Sequence, residues 1–211
     1  SAVLGVHVWG SAADMNAVDS WSKKHGLESY WDSSQAMGFS IRGQRIGGFS
    51  SLDVFSLHAT KVISAGEGGC ITTNNSMLAD KLRNIRSSYG VSRKVNVTKT
   101  ANGRMSEFQG AIGLLSLENY DEIVKHNSEL RDEYQKFLLD IPGIELEPLH
   151  GVSQSNKQNI VGRVNKAIFG MCRDDLIKSL HNENVLARRY FYPGCHRTMP
   201  YRASSPNALQ N

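Results

Sequence analysis

The opening of the chain reads as a strand, a helix and a second strand in quick succession. A near-continuous apolar run, AVLGVHV, occupies residues 2–8 and is typical of a parallel strand that is buried on both faces. Asp14 can cap a helix that runs to about His25, and Gly26 is placed to end that helix. Residues 27–31 read as the next strand. A unit this short makes a right-handed parallel crossover, so the pattern indicates an α/β fold.

The rest of the chain continues with short strands, glycine-rich breaks and helices. A capping box formed by Ser106 and Gln109 predicts the start of a long helical region, which Pro142-Gly143 stops. The other predicted elements are a hairpin or loop over 38–48, strands over 53–57 and 70–74, a helix over 77–86, a polar loop over 87–104, a strand over 159–164, a helix over 173–184 and a strand over 186–191.

This change of character along the chain predicts two domains with a helix between them. We expect a large domain over residues 1–118, a bridging helix over 119–142 and a small domain over 143–211. A parallel sheet that starts directly on a buried type of strand also needs further strands from another segment.

The composition argues against several classes of protein. The apolar and charged fractions, 40% and 21%, are ordinary for a globular protein, and neither a membrane-spanning run nor a signal peptide is recognisable, so a cytoplasmic protein is expected. Cys70, Cys172 and Cys195 are odd in number and widely spaced, which favours neither a disulfide framework nor a metal site. The net charge of +4 is dispersed, so it fits an anionic small ligand better than a nucleic acid.

Lys61 is the first candidate for chemistry. It follows a predicted strand in FSLHATK, which contains Ser56, His58 and Thr60, and it precedes the glycine-rich GEGG at 66–69. A lysine amine can form a Schiff base with an aldehyde cofactor, and hydroxyl groups with flexible backbone nearby can bind a phosphate. On spacing alone, a solvated surface lysine is the more common explanation, because most lysines are surface groups.

Asp32 is the second candidate, because it follows the strand LESYW. An aspartate at the carboxyl end of a parallel strand points into the crevice where α/β proteins bind ligands. There it could keep a pyridine nitrogen protonated, which makes the ring an electron sink. A helix cap or turn aspartate is the alternative.

Together these segments resemble the nucleotide-sugar aminotransferases of the DegT/StrS group, which are pyridoxal-phosphate (PLP) enzymes of fold type I. The resemblance spans most of the chain. It is carried by the blocks VHVWG…ADMNAVDSWSKKHGLESYWDSSQAMG, GQRIGGFSSLDVFSLHATK, GEGGCITTN, ANGRMSEFQGAIGLLSLE and FGMCRDDLIKSLHNENVLARRYFYPGCHRTMPYR.

The resemblance implies a fold and an activity. The fold would be part of the three-layer fold type I large domain, with a mainly parallel sheet, followed by part of a small α+β domain. The activity would be transfer of an amino group from an amino acid, usually glutamate, to a keto-deoxysugar on a nucleotide diphosphate, in the biosynthesis of deoxysugars for lipopolysaccharide or other glycans. No metal, nucleic acid or membrane partner is implied.

The resemblance also assigns cofactor-binding roles to four residues. Lys61 matches the catalytic lysine that holds PLP and later moves a proton. Asp32 matches the partner of the pyridine nitrogen, Gln35 the residue near the ring hydroxyl, and Ser56 a phosphate ligand. Because some relatives are dehydratases with histidine at the lysine position, Lys61 favours transamination.

Three further residues are expected to contact a partner or the substrate. Asn102 matches an asparagine that reaches the phosphate of the neighbouring subunit's cofactor, so a homodimer with shared sites is implied. Tyr192 and His196 lie in a block near the sugar substrate in this family. For His196, a structural role is an equal alternative.

The chain also departs from the family pattern. Trp31 replaces a residue that is often acidic, and Ser33 and Ser34 replace residues that are often alanine. We expect these changes to lie beside the ring and to affect substrate preference. The family's Gly-Thr phosphate anchor and stacking aromatic ring have no counterpart here, so the 211 residues alone are expected to bind PLP poorly and not to turn over.

Two other functions compete with this interpretation. A non-catalytic fragment or degenerate relative could serve as a folded interaction module, which the missing anchor favours and the retained Lys61, Asp32, Ser56 and Asn102 disfavour. A nicotinamide-binding protein is a poor match, because no GxGxxG follows a predicted strand.

Overall fold

The structure is a computed structural model that describes residues 1–87 and 89–204. The strands are β1 (Ala2–Val6), β2 (Glu28–Asp32), β3 (Ser40–Ile41), β4 (Gln44–Arg45), β5 (Asp53–Ser56), β6 (Gly69–Thr72), β7 (Ile144–Leu146) and β8 (Gly162–Val164). The helices are α1 (Met15–Lys24), α2 (Ser76–Arg86), α3 (Glu107–Glu118), α4 (Tyr120–Leu138), α5 (Lys166–Phe169), α6 (Arg173–Asn182) and α7 (Tyr201–Ser204), with a 3₁₀ turn at Cys195–Arg197.

The central element is a four-stranded sheet with the order β1-β2-β5-β6. β1, β2 and β5 run parallel, and β6 pairs antiparallel with β5. The mainly parallel α/β fold expected from the sequence is therefore confirmed. β3 and β4 form a separate short hairpin within the predicted 38–48 segment.

Helix α1 joins β1 to β2 and begins and ends as its sequence predicts. The Asp14 carboxylate accepts a hydrogen bond from the backbone N–H of Ala17 at 3.0 Å, which satisfies one of the free donors of the first turn. Gly26 adopts a φ of +62°, and the following Leu27 N–H bonds the carbonyl of Ser22 at 2.9 Å. Only glycine adopts this backbone conformation without strain, so the helix stops there.

One face of the sheet is covered. Trp31 is fully buried on this face, and Phe55 on β5 is buried in the same cluster. Gly5 on β1 lies so close to the indole that a Cβ there would be 2.2 Å from a ring carbon, so no larger residue fits. Burial of one such aromatic side chain contributes about 1.5–3 kcal/mol.

The opposite face of the sheet is open. Leu4 and Val6 on β1 are 65% and 47% exposed, Val54 on β5 is 40% exposed, and Ile71 on β6 is 47% exposed. The pairing register places these four apolar side chains on one face, because paired residues point to the same side. The prediction that the first strand is buried on both faces is therefore wrong: β1 is an edge strand, and no element of the described residues covers this side.

The long helical region divides into two helices at Asn119. α3 opens with the predicted capping box, in which the Ser106 hydroxyl accepts from the Gln109 N–H at 3.2 Å. α4 then begins at Tyr120, whose buried ring packs against Val62 and Ile63. Helix α4 thus supports the segment that directly follows Lys61.

The predicted strand over 186–191 is wrong. These residues form no ladder with any described strand, and the LARRYF sequence does not specify the hydrogen-bonding partner that a strand needs. The predicted helix over 173–184 and strand over 159–164 are present as the shorter α6 and β8.

The chain forms two compact units. The larger comprises residues 1–140 and 146–162, and the smaller comprises residues 141–145 and the described residues from 163 onward. The predicted large domain, bridging helix and small domain, with bounds at 118 and 142, stay a prediction. None of the helices in the described part of the chain is long and apolar enough to cross a membrane.

Candidate active site

The carboxyl ends of two neighbouring parallel strands define the candidate site. β2 ends at Asp32 and β5 ends at Ser56. Asp32 is paired with Val54, and the Ser33 N–H donates to the Val54 carbonyl at 2.9 Å. Ligands of α/β proteins bind at this end of the strands, so Asp32 and Ser56 lie where this topology predicts a ligand.

The Asp32 side chain lies on the open side of the sheet. It shares that side with Val6 and Val54, its partners in the pairing register. One carboxylate oxygen accepts the Ser34 N–H at 3.0 Å, which is a local turn, and the side chain is half-buried. The turn leaves the second oxygen available to a ligand.

A tight turn carries Lys61 away from the end of β5. The Ser56 hydroxyl accepts the His58 N–H at 3.2 Å, and the Lys61 N–H donates to the His58 carbonyl at 2.9 Å. The His58 Nδ1 accepts the Thr60 N–H at 3.1 Å. Lys61 is half-buried and forms no ion pair within residues 1–87 and 89–204, so its amino group is not committed to a carboxylate.

Gln35 is held with a defined orientation. Its Oε1 accepts the Trp9 N–H at 3.1 Å and the Asn159 side-chain amide at 3.0 Å. A backbone N–H can only donate, so the oxygen must face Trp9 and both of its lone pairs are used. The amide nitrogen of Gln35 is then the end that can donate to a ligand.

His7 belongs to the surroundings of Asp32, although no sequence motif marks it as a site residue. Its ring stacks on Trp31 with 4.9 Å between ring centroids, and its backbone N–H donates to the Asp32 carbonyl at 3.0 Å. Burial lowers the pKa of His7 to about 4, and the negative charge of Asp32 opposes this only in part. His7 is therefore neutral near pH 7. Because its Nδ1 accepts the Ala13 N–H at 3.1 Å, its proton resides on Nε2.

Two of the departures from the family pattern face away from the candidate ligand position. Trp31 is buried in the covered face, and the fully buried Ser33 donates from its hydroxyl to Asp53 at 2.6 Å. Burial raises the pKa of Asp53, which the Ser33 hydrogen bond partly offsets. Trp31 thus fills the core and Ser33 satisfies a buried carboxyl group, and an effect of either residue on substrate preference stays a prediction.

Asn102 lies on the surface of the larger unit. Its flanking residues are fixed to the end of α2, since Ala101 N–H donates to the Ile85 carbonyl at 2.8 Å and Gly103 N–H to the Arg86 carbonyl at 2.9 Å. The exposed Asn102 side chain accepts a long hydrogen bond, 3.5 Å, from Arg104. An anchored backbone with an exposed amide suits a contact outside this chain.

Tyr192 and His196 both lie in the smaller unit. The exposed Tyr192 ring is flanked by the guanidinium groups of Arg173 and Arg189, at 4.6 Å and 5.6 Å from its centroid. Asp174 forms ion pairs with both arginines. The hydrogen bond from Arg173 is the main cause that lowers the pKa of Asp174. The Nε2 of His196 is buried without a hydrogen-bond partner among the described residues.

The side chains at and after the two strand ends carry groups that could bind an organic cofactor. An amine, a carboxylate, a hydroxyl and an amide come from Lys61, Asp32, Ser56 and Gln35, which together match an aldehyde, a ring nitrogen, a phosphate and a ring hydroxyl. Among the described residues, no three His, Cys, Asp or Glu side chains form a group that could hold a metal ion.

Comparisons with known proteins agree with this chemistry. The model of the DegT/DnrJ/EryC1/StrS aminotransferase family matches residues 1–211. The dTDP-4-amino-4,6-dideoxy-D-glucose transaminase of Shigella dysenteriae is 33% identical over 193 residues, which are 91% of this chain and 52% of that protein. The dTDP-3-amino-3,4,6-trideoxy-alpha-D-glucose transaminase of Streptomyces venezuelae is 38% identical over 147 residues, which are 69% of this chain and 38% of that protein.

A solved structure shares the fold closely. DesI, crystallised in the presence of its TDP-sugar product, superposes with a TM-score of 0.89 at 34% identity. The match covers 96% of this chain and 52% of the DesI chain. Both matches cover most of this chain, but the chain spans only about half the length of these relatives.

Proposed function

The chain belongs to the DegT/DnrJ/EryC1/StrS aminotransferase family, and we propose that it forms the lysine-bearing part of a PLP-dependent aminotransferase. The amino group comes from an amino acid, glutamate, and the acceptor is a keto-deoxysugar carried on a nucleotide diphosphate. The observation that carries this proposal is the position of Asp32 and of the Ser56–Lys61 turn at adjacent carboxyl ends of parallel strands.

The four residues of the larger unit have distinct tasks toward the cofactor. Lys61 holds it covalently through its amino group, and Ser56 donates a hydrogen bond to its phosphate. Asp32 keeps the proton on the ring nitrogen, and Gln35 donates from its amide nitrogen to the ring hydroxyl. The fixed orientation of Gln35 supports this last role, because its oxygen already accepts two hydrogen bonds.

The bound cofactor supplies an electron sink for the negative charge that develops when the donor carbon loses its proton. The base that moves this proton is Lys61, through Nζ. A base must return the proton to a different carbon to complete an amino transfer, and a flexible primary amine can reach both positions. The absence of an ion pair to Lys61 within the described residues favours this role.

The functional unit is a homodimer, and each site uses residues from two chains. Asn102 binds the phosphate of the cofactor in the partner subunit, which fits its exposed amide on an anchored backbone. Tyr192 and His196 bind the sugar substrate, and the unpartnered Nε2 of His196 can accept or donate one hydrogen bond to a sugar hydroxyl.

A second function is favoured by the open face of the sheet. A non-catalytic relative that acts as an interaction module would use the exposed Leu4, Val6, Val54 and Ile71 for binding. The two functions differ in a simple titration: the aminotransferase changes the absorbance spectrum of added PLP, whereas the interaction module does not.

Isotope transfer tests the proposed reaction. The protein is purified at its native length from its source cells and incubated with PLP, nitrogen-15 glutamate and nucleotide-linked keto sugars. We expect nitrogen-15 in an aminosugar product with the wild-type protein and none with Lys61→Ala. Transfer that persists in Lys61→Ala contradicts the assignment of the base.

A further inference from the structure

A polar segment of the larger unit connects the two halves of the candidate site. This segment, Ser155–Asn159, has the sequence SNKQN and lies far along the chain from both Gln35 and Lys61. Ser155 and Asn156 are nevertheless buried. Buried polar side chains need hydrogen-bond partners, so the contacts of this segment indicate what it holds in place.

Asn156 fastens the loop that follows β2. Its side-chain nitrogen donates to the carbonyl oxygens of Gln35 and Met37, each at 3.1 Å. Its own backbone carbonyl accepts from the Asn127 amide on α4 at 3.1 Å. The loop carrying Gln35 is therefore tied through Asn156 to the long helix.

Gln158 fastens the backbone on both sides of Lys61. Its Oε1 accepts the Val62 N–H at 3.2 Å, and its Nε2 donates to the Thr60 carbonyl. These two groups belong to the peptide units immediately after and immediately before Lys61. One side-chain amide thus bridges the residue that carries the candidate catalytic amine.

The rest of the segment supports the same arrangement. The Asn156 Oδ1 accepts the Gln158 N–H at 3.1 Å, and Asn159 donates to the Gln35 side chain at 3.0 Å. Lys157 has a φ of +50°, which non-glycine residues rarely adopt, so its neighbours must hold it there. Asn156 and Asn159 therefore bind the Gln35 loop, and Gln158 binds the Lys61 turn.

We propose that Gln158 is a positioning residue for Lys61. By fixing both flanking peptide units, Gln158 sets the direction in which the lysine side chain leaves the backbone, and with Asn156 and Asn159 it sets the position of Lys61 relative to the Gln35 loop. This proposal rests on the proposed function, because positioning matters only if Lys61 reacts. Small displacements of a reacting group are costly, so a remote amide can control the reaction.

The first test measures backbone hydrogen exchange in the 211-residue chain without cofactor. We expect Gln158→Ala to speed exchange of the Val62 N–H by ~10-fold, in keeping with loss of one hydrogen bond. Gln154→Ala is the matched control, because Gln154 is an exposed residue of the same type just ahead of the segment. The Ala65 N–H, which donates to the Leu57 carbonyl at 2.8 Å, reports on general loosening.

Gln158→Glu provides a second variant for the case in which alanine disturbs the fold. A protonated glutamate offers one donor and one acceptor, as glutamine does, whereas the ionised form only accepts and faces the Thr60 carbonyl unfavourably. The Val62 N–H needs only an acceptor, so Gln158→Glu should retain more of the wild-type protection at Val62 than Gln158→Ala does. Equal exchange at Val62 in the two variants would overturn the hydrogen-bonding role of Gln158.

The second test measures how fast borohydride fixes PLP on Lys61. We expect Gln158→Ala to slow this labelling by ~10-fold relative to Gln154→Ala. Unchanged Val62 exchange, equal acceleration at Ala65, or normal labelling despite faster Val62 exchange would each overturn the positioning role. If wild-type Lys61 is never labelled, the proposed function fails, but the exchange result still decides whether Gln158 holds the backbone around Lys61.

Discussion

The two faces of the four-stranded sheet differ in what covers them. The covered face contains Trp31 and Phe55, both buried, and has a glycine at position 5 where any side chain would strike the indole. The open face carries Leu4, Val6 and Val54 in solvent, with Asp32 at the carboxyl end of β2. Trp31 and Asp32 are neighbours in sequence but point to opposite sides.

This contrast separates residues that stabilise the fold from residues that carry chemistry. On the covered face the identity of a side chain is set by packing, since large and small residues must interlock. On the open face the described residues bury little of the apolar side chains, so these contribute little to stability. One carboxylate oxygen of Asp32 remains available to bind a ligand. Substitutions on the two faces should therefore change different measured quantities.

The largest loss of stability is expected at Trp31. Trp31→Ala removes the fully buried ring and leaves a cavity, so the free energy of unfolding should fall by about 3–5 kcal/mol in denaturant titration. Trp21→Ala is the control, because Trp21 is 51% exposed on α1, and we expect about 1 kcal/mol or less there. Equal losses at the two tryptophans would remove the distinction between covered and open positions.

Asp32→Asn should act on the reaction rather than on the fold. The variant keeps the shape of the side chain but loses its charge. The native-length protein with PLP should therefore take up the amino group of glutamate at least ~100-fold more slowly, which is a rise of about 2.7 kcal/mol in the activation free energy. The free energy of unfolding should stay within about 0.5 kcal/mol of wild type. Single-turnover absorbance and denaturation measure the two quantities, and a variant with normal turnover would argue against the role of Asp32.

His7 should make the covered face sensitive to acid. Because the folded-state pKa, about 4, lies below the unfolded value of 6.5, His7 leaves stability intact above pH 6.5. As the pH falls below 6.5 the unfolded chain binds a proton that the folded chain excludes until about pH 4. Between pH 7 and pH 5 this lowers the free energy of unfolding by about 2 kcal/mol.

The His7 contribution is isolated by comparing wild type with His7→Gln at the two pH values. The variant should lose less stability on acidification than wild type does. His25→Gln, at an exposed histidine after α1, serves as the control and should behave like wild type. A His7→Gln variant with an unchanged pH dependence would show that another group titrates.

The smallest effect is expected at Leu4 on the open face. Leu4→Ala removes a side chain that is mostly in solvent, so the free energy of unfolding should change by about 0.5 kcal/mol or less. Measurement at several protein concentrations sharpens the comparison between the faces. A loss above about 2 kcal/mol that grows with concentration would mean that the open face is buried by association in solution.

Local signals in the sequence predicted the elements that local interactions determine. The Asp14 cap, the Gly26 stop and the Ser106–Gln109 capping box each use groups within a few residues, and each is present. The predicted strand over 186–191 failed because a strand requires a partner that the sequence pattern does not specify. The prediction for the first strand failed for a similar reason, since an apolar sequence does not specify which element covers each face.

The candidate site also contains residues that sequence motifs identified and residues that they did not. Family motifs selected Asp32, Gln35, Ser56 and Lys61, and these lie at or after the ends of β2 and β5. The support for them was not visible in the sequence. SNKQN matches none of the motifs discussed above, and its role depends on hydrogen bonds to residues about 100 positions away along the chain.

The most direct test of the account is to find which lysine binds PLP. The 211-residue chain is mixed with PLP at a concentration that occupies even a weak site, reduced with borohydride and mapped by peptide mass spectrometry. The account predicts a pyridoxyl group on Lys61 ahead of every other lysine, and loss of that selective label in Lys61→Ala. A label concentrated on another lysine, with Lys61 unmodified, would contradict it.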